Sequence, residues 1–170
     1  ADAKGGERKR PSCKPTTMAA LAAPPRAVPT RRLARAAVCL INRQRRARGL
    51  RKLRLNPRLS RAAHAHTRDM VHNRYFAHVS RRGGDVVDRL HRSGYLGGRF
   101  SWTVGENLAW GSGLRGSPRQ IVAAWMHSPG HRRNMLSNRF REIGIAVIPG
   151  APVAVSAPAA TYTTTFGARS

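Results

Sequence analysis

The sequence predicts an α+β domain, and three observations support this fold class. Apolar residues recur at helical spacing from Thr30 to Gly49 and again after Asn56. Branched runs bounded by Pro and Gly, which are typical of strands, cluster towards the carboxyl end. Most of the predicted helices precede most of the predicted strands, which favours α+β layering over a regular βαβ repeat. At 170 residues with 41% hydrophobic content, the chain can fill one sizeable core.

Residues 1–30 are rich in Lys, Arg, Ala and Pro and show no sustained periodicity. We predict that they form a basic arm that builds no core, and that residues 31–170 form the folded domain. Cys13 lies in the arm, and Cys39 lies on the flank of the first predicted helix. An even cysteine count in an exported chain favours a disulfide between them, with two unrelated free thiols as the alternative.

The first half of the chain predicts three helices. One begins at Thr30 and ends before Gly49, and a short one within "GGDVVDRLHRSG" ends at Gly94. Between them, a helix begins after Asn56 as the capping residue, with Pro57 in its first position. Its apolar face carries Leu59, Ala63, His66 and Met70, so His66 is interpreted as a packed core histidine. The histidines expected to be exposed are His64, His72 and His91.

The second half predicts shorter elements. "FSWTVGENLAWGSG" indicates a strand and a turn, and "SPRQIVAAWMH" indicates a helix with Ser117 as its cap. A second Ser-Pro pair, Ser128 and Pro129, opens the short helix "PGHRRNML". Strands are predicted for "EIGIAVIP", "PVAVS" and "TYTTTFG".

The net charge of +25, from 32 basic and 7 acidic residues, raises the question of a polyanionic partner. The cations are spread along the chain, only 6% of residues are aromatic and no base-reading motif is present, so we expect no sequence-specific nucleic-acid binding. The basic surface is either simply solvated or attracted without sequence preference to a polyanion such as nucleic acid, a cell-wall polymer or an anionic lipid. No apolar run reaches the roughly 18 residues that a transmembrane segment needs. The first residues, "ADAKGG", suit a mature exported chain, and we expect a secreted monomer.

Glu106 is a scarce acid within the apolar run "VGENLAW". An unpaired ionised carboxylate is costly there, so Glu106 should carry a proton or face a partner. His131 takes the third position of the helix opened by Ser128, where the helix dipole disfavours imidazolium and leaves a neutral ring able to bind a metal. His78 follows the second helix in "YFAHVS", where a loop can aim a side chain into a cleft.

The segments "YFAHVS", "GENLAW" and "AAWMHSPGHRRNML", with "LINRQR" before and "FREIGIAV" after them, resemble the bacterial branch of the CAP superfamily. This superfamily comprises cysteine-rich secretory, antigen 5 and pathogenesis-related 1 proteins, and the resemblance covers about residues 31–169. It implies a three-layer α-β-α sandwich in which two His and usually two acidic residues meet in a cleft. By resemblance, His78 and His131 are the two histidines and Glu106 is the first acid. The place of the second acid, three positions after Trp125, is taken by Ser128.

Two His and one Glu are a recognised ligand set for zinc with an open coordination position. We therefore predict His78, Glu106 and His131 as ligands of Zn²⁺ or another divalent metal, and as the candidates for any catalysis. The resemblance implies extracellular proteins that bind sterols and lipids and act at cell surfaces. Our first hypothesis is a secreted binding module, not an enzyme, for a lipid, a sterol or an anionic cell-wall polymer. The alternative is a metal-assisted hydrolase of cell-wall or phosphodiester substrates; the sequence has no G-x-S-x-G motif.

Overall fold

A four-stranded mixed sheet lies at the centre of the fold. The computed structural model describes Cys13, residues 15–98 and residues 101–170. In the order in which they lie side by side, the strands are β1 (Arg54–Leu55), β3 (Glu142–Pro149), β4 (Ala159–Arg169) and β2 (Trp102–Ser112). β4 pairs antiparallel with both β2 and β3, and β1 pairs parallel with β3.

Helices cover both faces of this sheet. Those within the described residues are α1 (Pro15–Met18), α2 (Thr30–Arg46), α3 (Pro57–His72), α4 (Val86–Arg92), α5 (Pro118–His127) and α6 (Pro129–Leu136). α2, α5 and α6 lie on one face, and α3 and α4 lie on the other. The α+β fold class and the α-β-α layering predicted from the sequence are therefore confirmed.

The face under α2 and α5 carries large apolar side chains. Successive residues of a strand point to opposite faces of the sheet, so every second residue of β3 and of β4 points to this face. Trp125 of α5 lies at the centre of the cluster and donates a hydrogen bond from Nε1 to the Leu108 carbonyl at 3.0 Å. The strand residues packed around it include Ile145, Val147, Tyr162 and Phe166.

The face under α3 carries small and hydroxyl-bearing residues instead. A β-carbon at Gly144 would lie 2.1 Å from the carbonyl carbon of Leu59, so only glycine lets the α3 backbone approach this closely. Thr165 donates a hydrogen bond from Oγ1 to the Leu59 carbonyl at 2.9 Å, and Thr67 of α3 donates to Thr163 Oγ1 at 2.7 Å. Hydroxyl groups and close backbone approach therefore help to hold α3 to the sheet, beside a smaller apolar cluster that includes Leu59.

The local signals place most helix ends correctly. The Asn56 side chain accepts hydrogen bonds from the backbone N–H groups of Arg58 and Leu59, as expected of a capping residue. Gly94 has φ +73° just beyond α4, a conformation that favours glycine. Ser117 and Ser128 occupy the capping positions of α5 and α6, but their side chains make no capping hydrogen bond.

Two sequence interpretations are wrong. The run "PVAVS" at 152–156 forms no strand; it belongs to the connection between β3 and β4, which already pair with each other. The arm was expected to build no core, yet Ala20 and Leu21 are buried against Ala36 of α2. A backbone hydrogen bond from Arg119 N to the Leu21 carbonyl, at 2.8 Å, helps to hold this segment in place.

The predicted disulfide is confirmed. Cys13 and Cys39 are bonded, with their Cα atoms 6.0 Å apart, which ties the arm to α2. The remainder of the predicted arm, residues 1–12 and residue 14, lies outside the described residues. Within the described ranges, no helix combines the length and apolarity that crossing a membrane requires.

Candidate functional site

The carboxylate of Glu106 is buried on β2 and has a cationic partner. Its side chain is 3% exposed, and Arg89 of α4 donates from Nη2 to Oε2 at 2.9 Å and to Oε1 at 3.1 Å. Burying one charge without the other would be costly, but the two together form a hydrogen-bonded pair. Arg89 is therefore the main partner of Glu106, whose need for a partner was predicted from the sequence.

Arg89 is itself fixed by backbone acceptors. Its Nη2 donates to the carbonyl of His78 at 2.9 Å, and its Nη1 donates to the carbonyl of Gly84 at 3.0 Å. Sequence reasoning missed this residue, although a signal was present. Arg89 falls on the inward face of α4, beside the buried Leu90, and a cation on such a face requires an anion nearby.

His78 is the second partner of Glu106. Its Nδ1 lies 2.9 Å from Glu106 Oε1, while its side chain remains 58% exposed. An ionised carboxylate can only accept hydrogen bonds, so Nδ1 carries the hydrogen in this pair. In the neutral ring the other nitrogen, Nε2, then carries a lone pair that can accept a proton or bind a metal. The buried Glu106–Arg89 pair thus fixes the tautomer of an exposed imidazole.

His131 lies in the first turn of α6, as the sequence predicted. Burial lowers the pKa of its imidazole, and the nearby His78 lowers it further, so the neutral form predominates at neutral pH. The neutral state was predicted, but burial is the main cause here. The structure therefore brings His78 close enough to His131 for the two rings to interact electrostatically.

Two asparagines connect the helix of His131 to the strand of Glu106. Asn107 donates from Nδ2 to the carbonyl of His131 at 3.0 Å. Asn134 donates from Nδ2 to the carbonyl of Glu106 at 3.1 Å and to Asn107 Oδ1 at 2.9 Å. Both were missed from the sequence, although they lie one residue after Glu106 and three after His131.

His66 is the packed core histidine that the sequence predicted. It is fully buried in α3, and its Nε2 lies 2.9 Å from the carbonyl of Ala77, to which it must donate. Burial lowers the pKa of its imidazole, which keeps the ring neutral. Nε2 also lies 4.0 Å from Glu106 Oε1, so His66 borders the site beside the Glu106 carboxylate. The three other histidines expected to be exposed, His64, His72 and His91, are exposed.

Comparison with known proteins places this architecture in a family. The model of the cysteine-rich secretory protein family, CAP, matches residues 38–162. The chain belongs to the CAP family. It is 36% identical to the Bacillus subtilis protein designated uncharacterized protein YkwD over 110 residues, which are 64% of this chain and 40% of that protein. The chain thus spans less than half the length of the curated relatives it matches.

Solved structures share the fold of this CAP domain. An outer surface protein from Borrelia burgdorferi has a TM-score of 0.64 at 22% identity, over 78% of this chain and 90% of that one. An extracellular protein containing a SCP domain from Bacillus anthracis has a TM-score of 0.62 at 26% identity, over 82% of this chain and 43% of that one. These relatives support the fold and the bacterial branch of the family.

Some donor atoms of the predicted three-residue zinc site are already engaged in other contacts. Among the described residues, no group of three or more His, Cys, Asp or Glu side chains is placed to hold one metal ion. Both carboxylate oxygens of Glu106 already accept hydrogen bonds from Arg89. Ser128, in the place of the family's second acid, supplies no carboxylate. Metal binding by His78, Glu106 and His131 therefore stays a prediction.

Proposed function

We propose that this CAP domain is a secreted binding module whose ligand site is centred on His78 and His131. The observation that carries the proposal is the hydrogen bond between His78 Nδ1 and Glu106, with Arg89 behind the carboxylate. A buried ion pair that orients one exposed imidazole is a costly feature for a purely structural surface. It is suited to holding that ring ready for a ligand.

A divalent metal is the first ligand we propose for these imidazoles. Metal-binding histidines commonly donate their other ring N–H to a carboxylate, which is the relation between His78 and Glu106. Glu106 would then orient a ligand without being one, and the ion would be held by ring nitrogens of His78 and His131. When bound, such an ion supplies a positive charge that attracts anionic or carbonyl groups of a larger ligand. With two protein ligands, we expect weaker affinity than at three-ligand zinc sites.

The surface beside His78 supports an amphipathic ligand. Phe76 and Val79 are 45% and 50% exposed on either side of His78 in the chain. Exposed apolar side chains next to a polar site suit a lipid or sterol that carries one polar group. Secretion is part of the same proposal, because similar folds include proteins described as extracellular or as outer surface proteins.

The hydrolase alternative has less support. A general base must be free to accept a proton from water, but the oxygens of Glu106 are occupied by Arg89 and His78. We therefore propose binding, not turnover, as the activity of the site.

Calorimetric titration of the chain with Zn²⁺ tests the metal part of the proposal. We expect His78→Ala and His131→Ala to abolish binding without lowering the midpoint of thermal unfolding, since both side chains are at least partly exposed. Glu106→Gln should weaken binding by about tenfold or more, because the carboxylate orients His78. His64→Ala, at an exposed position of α3, is the matched control. Equal zinc affinity in the parent and in both imidazole variants would contradict the proposal.

A separate titration tests the amphipathic ligand. Binding of a fluorescent sterol and a fluorescent fatty acid should weaken in a Phe76→Ser/Val79→Ser variant. The matched control is Val153→Ser/Val155→Ser, which removes two similarly exposed apolar side chains elsewhere. Similar losses in both variants would indicate unspecific adsorption to apolar surface.

A further inference from the structure

A cavity of about 910 Å³ lies between α3, the loop of residues 80–84 and α4. This volume is in the range of small-molecule sites. Arg89, which holds Glu106, also lines this cavity, whereas its described lining includes neither His78 nor His131. The cavity therefore does not include the two proposed imidazoles, and it adjoins their site through Arg89 and His66.

Cations dominate the lining of this cavity. Its arginines are Arg61, Arg82, Arg89 and Arg92, and its acidic residues are Asp69 and Asp88. Arg89 is already paired with Glu106, which leaves three exposed guanidinium groups facing two carboxylates. Guanidinium groups bind phosphate and carboxylate oxygens with parallel N–H donors, so a group of three favours an oxyanion.

Both carboxylates of the lining have partners of their own. Asp69 accepts hydrogen bonds from the hydroxyl of Tyr75 and, at 2.6 Å, from Asn73 Nδ2. Burial alone would raise the pKa of Asp69, but these hydrogen bonds, together with the electrostatic influence of His66 and Arg82, outweigh it and the net direction is downward. Asp88 accepts from the backbone N–H of Asp85 at 3.0 Å within the capping box of α4. Both acids therefore have hydrogen-bond partners other than the arginines of the cavity, although Arg82 also contributes to the lowered pKa of Asp69.

Two hydrogen-bond donors, from Arg92 and Ser80, lie close to the Cα atom of Gly84. A β-carbon at this position would lie 3.4 Å from Arg92 Nη2 and 3.4 Å from Ser80 Oγ. Ser80 Oγ accepts a hydrogen bond from Gly84 N at 3.0 Å, so the hydroxyl keeps its own hydrogen for another acceptor. The absence of a side chain at Gly84 thus leaves space where a guanidinium and a hydroxyl both reach.

Two buried polar atoms of the lining residues are unsatisfied, which is an independent sign of a polar occupant. Arg89 Nε, a donor, and His66 Nδ1, an acceptor because Nε2 donates to Ala77, have no hydrogen-bond partner among the described residues. An oxyanion oxygen can pair with the first of these atoms, and a donor such as water with the second. Unpaired buried polar atoms are rare in folded proteins and call for an explanation by an ion, a ligand or water.

We propose that this cavity is a binding site for a phosphate-type oxyanion, held by Arg61, Arg82 and Arg92 with the Ser80 hydroxyl over Gly84. The chemistry is shared by free phosphate and by the phosphate group of a small organic ester. The site uses neither His78 nor His131, so it is independent of the proposed metal and lipid binding.

Calorimetry with inorganic phosphate, in a chloride buffer of fixed ionic strength, tests this site. Gly84→Ala should weaken phosphate binding by about tenfold or more, because the methyl group occupies the space between the donors. Its contacts begin at 3.4 Å, an ordinary van der Waals distance, so the variant should fold like the parent. Gly97→Ala, where a β-carbon meets nothing within 4 Å, is the matched control. Unchanged affinity in Gly84→Ala, or no phosphate binding by the parent, overturns the proposal.

A charge-matched pair separates this site from unspecific attraction to a basic surface. Arg61→Gln/Arg92→Gln should abolish binding, whereas Arg31→Gln/Arg35→Gln removes the same charge from exposed positions of α2 and should have little effect. Equal losses of phosphate affinity in the two double variants would mean that net charge alone causes the binding. This outcome would contradict the proposed site even if Gly84→Ala misfolds. Repeating the titration with glycerol 3-phosphate identifies the source: tighter binding than phosphate indicates an organic ester, and weaker binding indicates the free anion.

Discussion

The two faces of the central sheet differ in what holds the helices to them. Under α2 and α5, large apolar side chains such as Ile145 and Phe166 surround Trp125. Under α3, the same strands present Gly144 and a row of threonines, and hydrogen bonds and close backbone approach accompany a smaller apolar cluster that includes Leu90 and Tyr95. Glu106, with its Arg89 partner, lies on this second, more polar side. One face therefore contributes most of the hydrophobic stabilisation, and the other can accommodate a charged group.

The largest effect is expected on the apolar face. Trp125→Ala should lower the free energy of unfolding by about 3 to 5 kcal/mol, because it leaves a cavity and removes the hydrogen bond to Leu108. Trp125→Phe keeps most of the volume and should cost less. Urea denaturation followed by circular dichroism measures both. A loss below about 1 kcal/mol for Trp125→Ala would mean that this face is not the main source of stability.

The second largest effect is expected on the polar face, and unlike the first it can be rescued by a second substitution. Arg89→Met leaves Glu106 buried without its cation and should cost about 3 kcal/mol, the lower end for broken buried pairs because His78 remains as a partner. Adding Glu106→Leu removes the stranded charge and should restore most of that loss. No second substitution of this kind can rescue Trp125→Ala.

A double-mutant cycle on Arg89 and Glu106 gives the coupling between them. Arg92→Met, at an exposed position of the same helix, controls for replacing an arginine and should stay within about 0.5 kcal/mol of the parent. If the Arg89→Met/Glu106→Leu protein is as unstable as Arg89→Met alone, the cost lies in packing and the ion-pair explanation fails.

The same contrast explains what the sequence could predict. Periodicity and caps are local signals, so α2, α3 and the position of His131 in α6 follow from the sequence. The need of Glu106 for a partner was also readable, because a carboxylate in an apolar run must be compensated. Its main partner was not, since Arg89 reaches β2 from a separate helix and no local pattern specifies that contact.

The errors have a similar origin in long-range contacts. The run 152–156 alternates like a strand, but it lies in the connection between β3 and β4, which pair directly with each other, and residues 153–156 are exposed. The arm has the composition of a solvated segment, yet the disulfide between Cys13 and Cys39 and the contacts of Leu21 hold part of it against α2. Composition describes a segment in isolation, whereas burial depends on what the segment meets.

The smallest effect we expect is a pH dependence of the free energy of unfolding, caused by the buried His66 on the polar face. Burial is the strongest influence on His66 and lowers its pKa; Glu106 raises it in part, and Arg89 lowers it again. An unfolded histidine has a pKa of about 6.5, so below that pH the unfolded chain binds a proton that the folded chain excludes. The stability that depends on neutral His66 is therefore fully present above about pH 6.5 and decreases as the pH falls towards the lower folded value.

The free energy of unfolding should accordingly fall between about pH 7 and pH 5. His66→Gln, whose amide nitrogen can still donate to the Ala77 carbonyl, should show a shallower decrease over this window. His64→Gln, exposed on the same helix, should keep the parent slope.

His131, whose pKa is also lowered by burial, remains in both variants, so some slope persists. The lowered pKa of Asp69 acts below about pH 4, outside the window. Parallel slopes for the parent and His66→Gln would show that the buried imidazole does not couple folding to pH, and the sensitivity would then have to be assigned to His131.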